Sequence, residues 1–444
     1  MTADINSRLA NRILWGLALG AVAGSLTLVA GSFYPDLLVA ARRISTLVFD
    51  PLGQVFLRML FFVVIPLVFA SLAMSVAQLD RLGQLGPLAI RTFILFFLNM
   101  AIAVALGLIM MNTIEPGSVM DPEAKTRLME EYGGAAQQHV ERQAAQPDVT
   151  PMTLVDMFMP RNLFGAFVGN NRDLLGDVLP LILFAILVGA AATRLPPDEA
   201  GKLRSGLALI NDLMTGIVHF ALMLAPFAVP ALIYSVIVKI GWDILVALGI
   251  FVLGCLVVMM LHLFGTMSLW LRLLARRNPL EFWRLMRPVL VTAFSTSSSA
   301  ATLPTALAAA REQLGVSPQV AGFVLPLGTT MNMAGTALYE GCVVLFVAQV
   351  FGIELGFAQQ MTLLLLAVLS AVAVAAIPGG SLPLIAGLLV AFGIPPEGIG
   401  IILGVDRILD MTRTMVNVGS DVVTTTVVDR YTRLDDAAAA GRSG

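Results

Sequence analysis

At 444 residues, with 58% apolar side chains, 13% charged ones and a mean hydropathy of +0.87, the chain lies outside the range of soluble globular proteins and reads as an all-α polytopic membrane protein. A net charge of −2 offers no basic surface for nucleic acid, and no P-loop is present to run an ATP-driven pump. Cys255 and Cys342 sit in apolar segments as small core residues, and His139, His219 and His262 match no metal-binding spacing.

The N-terminus is polar, with Arg8 and Arg12, and leads into an apolar run from Ile13 to about Phe33 that is long enough to span a bilayer. This run is too long for a signal-peptide core and lacks a small-x-small cleavage site, so it reads as a retained first helix. Further apolar segments of spanning length follow at 48–77, 88–112, 178–195, 206–238 and 242–271. Between the third and fourth spans, the polar insert from Glu115 to Thr150 carries seven acids against Lys125, Arg127 and Arg142 and reads as a flexible loop. The stretch 272–287 has five arginines and one acid. Three crossings separate it from the acidic insert, so the arginine-rich side is expected to be cytoplasmic, and both termini with it.

Two later apolar segments are interrupted near their middles, 288–310 by "STSSSAATLP" and 361–392 by "IPGGSLP". Their arms are too short to cross, and irregular backbone at membrane depth survives only inside protein or beside a watery cavity. Both segments predict re-entrant hairpins. Each is followed by a longer helix, 318–350 and 396–430, so hairpin and helix alternate twice, a pattern that points to a transporter site near the midplane.

The last helix contains "GVDRILDMTRTMVNVGSD", residues 404–421. Asp406, Asp410, Arg413, Asn417 and Asp421 fall within about 80° of one face, a stripe that must meet protein, water or ligand because a lipid-facing charge is costly. Arg407 lies about 100° off that stripe. In the preceding "PLGTTMNMAGTALYEG", Asn332, Thr336 and Glu340 are spaced four apart, and Gly328 and Gly335 favour local unwinding that would free carbonyls for a hard cation. Glu340, a carboxyl in an apolar run, is a candidate for gaining and losing a proton. Ser295 to Ser299 offer hydroxyls and amides suited to an anion, and Pro378, Gly379 and Gly380 supply a tight turn suited to a lid.

These residues resemble the dicarboxylate/amino acid:cation symporters, which include the glutamate transporters, from the first helix to about Arg430. The most specific pieces are "SSSAATLP", "NMAGTALYE" and "ILDMTRTMVNVGSD". The resemblance implies a homotrimeric, non-enzymatic carrier in the plasma or inner membrane, surrounded by lipid, with eight spans, two hairpins and an elevator motion. It implies a scaffold at 1–87 and 178–240, an insert at 113–177, and a transport part at 88–112 and 241–430 that holds hairpins at 280–316 and 359–393. A cytoplasmic tail follows at 431–444.

By the same resemblance, Arg413 holds a substrate side-chain carboxylate, Asp410 takes the amino group, and Thr336, Thr414 and Asn417 line the pocket. Ser297, Ser298 and Ser299 match the inner gate, and Pro378, Gly379 and Gly380 the outer one. Gly328, Asn332, Asn417 and Asp421 match a sodium site, and Glu340 matches a proton carrier. Departures weaken sodium coupling: Ala334 stands where the family has a carboxylate, Asn99 and Met100 where it has hydroxyls, and Ala371 and Val374 where a serine and a threonine precede the second tip. An arginine usual in the first tip or on the last helix is replaced by Thr296 and Met411, with Arg407 one turn away.

The expected function is therefore symport of L-aspartate or L-glutamate with H+, Na+ or both, and no cofactor. The alternatives are a C4-dicarboxylate or a neutral amino acid. A more distant alternative is an intramembrane hydrolase built on Ser297–Ser299, which would need a base paired with the serine.

Overall fold

Proline and glycine punctuate long apolar runs, and the helices follow that punctuation. A computed structural model describes residues 2–77, 87–126, 159, 161–164, 178–373 and 381–440, and every regular element among them is helical. The chain opens with α1 (Thr2–Phe33), α2 (Pro35–Ile44), α3 (Asp50–Phe62), α4 (Val64–Ala77) and α5 (Pro87–Ile114). It continues with α6 (Val178–Ala192), α7 (Pro197–Ile240) and α8 (Asp243–Met260), the last extended to Ala275 by π-helical turns at Leu261–Thr266 and Leu271–Ala275. The second half comprises α9 (Pro279–Thr296), α10 (Ser299–Ala308), α11 (Pro318–Met331), α12 (Ala334–Val350), α13 (Phe357–Ala373), α14 (Leu382–Ala391) and α15 (Ile399–Ala440). Prolines open α2, α7, α9 and α11, where the missing N–H has no helical partner to lose, and Asn278 caps α9 by accepting the Leu280 N–H at 3.0 Å.

The segment 48–77 is one apolar run in the sequence but two helices in space, parted at Val63. Of the insert, only its first part is described: Pro116–Val119 form a 3-10 turn and residues 122–126 are helical, while 127–158 lie outside the described residues. Among the described residues five stretches are long and apolar enough to cross a membrane: Trp15–Phe33, Leu88–Val119, Met223–Ile240, Asp243–Ala275 and Pro318–Val350. Other helices fall short of that measure. The run through α3 and α4 is split, α6, α13 and α14 are shorter apolar helices, and α15 carries its charges inside the protein.

The segment 280–316 folds as α9 and α10 packed against each other, reversing at Ser297, whose φ of 50° lies in the left-handed region. The segment 359–393 contains α13 and α14, also in contact, and its tip at 374–380 lies outside the described residues. α1 runs along α7, with α3 and α4 on the other side of α7 and α6 on α4. α5 packs on α12 and α8, and α15 touches α8, α9, α11 and α12. α15 is thus surrounded on most sides, which is what its polar stripe requires.

α3 and α7 are joined by an ion pair as well as by apolar contact. Asp50 accepts from Ser235 Oγ and from Lys239 Nζ, both at 2.6 Å, with the lysine side chain 9% exposed. Replacing Lys239 by Met leaves the aspartate with one hydroxyl, at a cost of about 1–3 kcal/mol. Lys239→Met is therefore expected to lower the thermal midpoint by several degrees in detergent, and Lys239→Arg to lower it much less.

Candidate functional site

The polar stripe of α15 faces protein along its whole length: Asp406, Asp410, Arg413, Asn417 and Asp421 are all buried. At its N-terminal end Arg413, 3% exposed, is held by four neighbours. Its Nε and Nη2 donate to Asp410 Oδ1 at 2.9 and 2.8 Å, and Nη1 donates to Ser381 Oγ at the start of α14. Asp406 Oδ1 lies 3.7 Å from Nη1, and the guanidinium sits 5.0 Å from the centroid of the Tyr339 ring. Tyr339 in turn donates its hydroxyl to Asp406 Oδ1 at 2.9 Å. Arg407 joins the cluster from the side, with Nη1 3.5 Å from Asp410 Oδ2 and a buried Nε that has no partner. Two carboxylates and two guanidiniums thus share one cluster, Arg407 partly exposed and the other three buried, and their charges compensate each other.

The middle of the stripe holds a broken helix together. Asn332 and Met333 leave helical geometry, with φ −124° and −91°, and separate α11 from α12. The amides that open α12 therefore lack helical acceptors, and a side chain from α15 supplies one: Asn417 Oδ1 accepts from Gly335 N at 2.7 Å and Thr336 N at 3.3 Å. Its Nδ2 donates to Thr336 Oγ1 at 3.1 Å. This contact needs the two helices very close, and a Cβ on Gly335 would lie 2.4 Å from the Arg413 carbonyl oxygen.

At the C-terminal end of the stripe, Asp421 Oδ1 accepts from Asn332 Nδ2 at 2.8 Å and packs against the bare Cα of Gly328, where a Cβ would lie 2.5 Å from it. Asn332 Oδ1 is bonded by Asn99 Nδ2 of α5 at 2.8 Å, and Asn99 Oδ1 meets His262 Nε2 of α8 at 3.1 Å. His262 lies in a π-helical turn and is fully buried.

The residues singled out from the sequence are brought together unevenly. Gly328, Asn332, Thr336, Asp410, Arg413, Asn417 and Asp421 form one connected seam between α15 and the α11–α12 break. Thr414 directs its hydroxyl to the Asp410 carbonyl of its own helix at 2.8 Å. Ser298 caps α10 by accepting the Ala301 N–H at 3.2 Å, Ser299 is buried, and Ser297 Oγ is buried without a partner. Glu340 lies in α12, fully buried, and neither of its oxygens has a hydrogen-bond partner. Pro378, Gly379 and Gly380 lie outside the described residues. Tyr339 and Ser381 carry no role in the sequence reading, although each adjoins a residue that does, and His262, which matches no metal-binding spacing, meets a partner 163 residues away in Asn99.

In chemical terms, the N-terminal end offers a guanidinium fork that suits a carboxylate and a carboxylate that suits an ammonium. The C-terminal end offers a carboxylate, amides and main-chain carbonyls, ligands of the hard-cation type. His262 is bonded to Asn99 rather than to a serine, so nothing here pairs it with the Ser297–Ser299 run as a nucleophile and base.

Comparison with known proteins identifies the family. The sodium:dicarboxylate symporter family matches residues 9–431. The proton/sodium-glutamate symport protein of Bacillus caldotenax is 30% identical over 432 residues, covering 95% of this chain and 94% of that protein. The proton/glutamate-aspartate symporter of Escherichia coli is 29% identical over 431 residues, 96% and 94% of the two chains, and human excitatory amino acid transporter 3 is 29% identical over 416 residues, 86% and 79%. With a match that runs from the first helix to the end of the charged stripe, the chain belongs to the sodium:dicarboxylate symporter family.

Proposed function

We propose that the chain is a secondary active symporter that takes up an acidic amino acid, L-aspartate or L-glutamate, with protons, sodium or both. The observation that carries this reading is the buried Arg413–Asp410 pair, a cation and an anion spaced to receive the two kinds of charged group that an acidic amino acid presents. The named activities of the bacterial relatives point the same way.

In this reading Arg413 exchanges its present acceptors for the substrate side-chain carboxylate, and Asp410 turns to the substrate ammonium. Thr336, Thr414 and Asn417 line the pocket. Ser297, Ser298 and Ser299 close it from the inside, and Pro378, Gly379 and Gly380 from the outside. Gly328, Asn332, Asn417 and Asp421 form the cation end. Glu340 carries the proton: a buried carboxyl with no donor on either oxygen suits a group that gains and loses a proton as its surroundings change. The carrier is a plasma-membrane homotrimer of eight spans and two re-entrant hairpins, with cytoplasmic termini. Its transport part, 88–112 and 241–430, moves as an elevator against the scaffold.

One observation favours a second reading. Asp410 is approached by two guanidiniums, with Arg407 on the oxygen that Arg413 leaves free. A C4-dicarboxylate, which has no ammonium to compete for Asp410, would leave that arrangement intact. Competition in proteoliposomes separates the two: L-aspartate uptake that unlabelled L-glutamate suppresses and succinate does not supports the amino acid, and the reverse order supports the dicarboxylate.

Arg413→Ala is expected to weaken uptake of acidic substrates by about 10²-fold or more, because it strips a desolvated charge pair of one partner. Unchanged L-aspartate uptake in a folded variant would remove the substrate assignment. Glu340→Gln is expected to abolish stimulation by an imposed proton gradient while leaving substrate exchange in place, and gradient-driven uptake that persists in that variant would end the role given to Glu340.

A further inference from the structure

His262, Asn99, Asn332 and Asp421 form one hydrogen-bonded chain that links α8, α5, the α11–α12 break and α15, and all four side chains are buried. A side-chain amide donates at one end and accepts at the other, so fixing one link fixes the rest. Asn332 donates to Asp421 and must turn its oxygen to Asn99. Asn99 donates to that oxygen and must turn its own oxygen to His262. The remaining link then requires His262 to donate from Nε2, which leaves Nδ1 as a bare lone pair. The buried Nδ1 without a partner is what this order demands.

This order bears on the cation end of the site. A hard cation at Asp421 would draw on the Asn332 carbonyl oxygen, but that oxygen is taken by the Asn99 N–H, while the Asn332 N–H occupies Asp421 Oδ1. Turning the Asn332 amide over would set its N–H against the N–H of Asn99. Relieving that clash turns Asn99 over too, and His262 would then have to accept at Nε2 and carry its proton on Nδ1. Among the described residues nothing receives an N–H there. The chain is therefore locked from its far end.

We infer that Asn99 and His262 hold the Asn332 amide in the orientation that keeps sodium off Asp421, with the Asn332 N–H on the carboxylate and the Asn99 N–H on the Asn332 oxygen, so that transport needs no sodium at this position. The inference rests on the proposed reading of Asn332 and Asp421 as the cation end. It concerns the ion alone, and its test contains no substrate, so an error in the substrate assignment leaves the result unaffected.

The test is thermal unfolding of the purified full-length protein in NaCl against choline chloride at equal ionic strength, each at about 100 mM, with sodium binding read as stabilisation. The wild type is expected to unfold at the same midpoint in both salts. Asn99→Ser, which breaks the chain and leaves a hydroxyl oxygen, is expected to gain a sodium-specific rise of about 2 °C or more, and His262→Leu, which frees the Asn99 amide, a rise in the same direction. His262→Gln retains a donor for Asn99 and is expected to stay insensitive. A purely structural role for His262 predicts loss of stability in both salts but no gained sodium response. Sodium stabilisation of the wild type that vanishes in Asp421→Asn would overturn the inference, because sodium would then reach Asp421 with the chain intact. That comparison decides the matter even if Asn99→Ser does not fold. Folded Asn99→Ser and His262→Leu proteins that both ignore sodium would overturn it as well.

Discussion

In a chain this apolar, each charge or broken backbone bond away from water must find its partner inside the protein, and that constraint shapes everything around α15. Five polar residues on one face of a helix cannot meet lipid, so α8, α9, α11 and α12 close around them. The most consequential contact is the one between Asn417 and the amides that open α12. It satisfies N–H groups exposed by the break at Asn332 and Met333, and it holds α12 so close to α15 that no side chain fits at Gly335. The break, the glycine and the asparagine form one structural unit, and the polar groups on either side of it are positioned by it.

The seam divides naturally at that unit. On one side lie Arg413, Asp410, Asp406 and Arg407, a compensated cluster whose members differ in how firmly they are held. Arg413 has acceptors on three sides and an aromatic face beside it, while Arg407 reaches one oxygen at 3.5 Å and leaves Nε unmet. A cluster whose charges already satisfy one another leaves no bare electrostatic hole in the apolar interior. On the other side lie Asp421, Asn332, Asn99 and His262, where the compensation is made of directional amide bonds.

Among the described residues a few buried polar atoms are left without partners, some beside the α15 seam and others away from it, at Ser45 and Glu397. Glu340 has both oxygens unmet, Ser297 sits with its hydroxyl free at the strained tip between α9 and α10, and His262 keeps one nitrogen bare. Such groups are costly in an apolar interior, and each lowers the stability of the packing around it.

Much of this was legible in the sequence. Composition settled that the chain belongs in a membrane, because no soluble fold buries so large an apolar fraction, and the 4-3-4-4 spacing placed five polar groups on one helical face because a helix repeats every 3.6 residues. The interruption at "STSSSAATLP" was readable as a break, since serine and proline stand where an uninterrupted span would be apolar, and Gly328 and Gly335 pointed to the local unwinding that the chain takes between them at Asn332 and Met333. Which partner each polar group takes was decided by the tertiary structure alone. Nothing in the sequence near His262 points to Asn99, and nothing near Arg413 points to Ser381 or Tyr339. Helical periodicity reports the face a residue occupies, whereas the partner on that face arrives from a helix tens or hundreds of residues away, and hydrogen-bond direction exists only once both are in place.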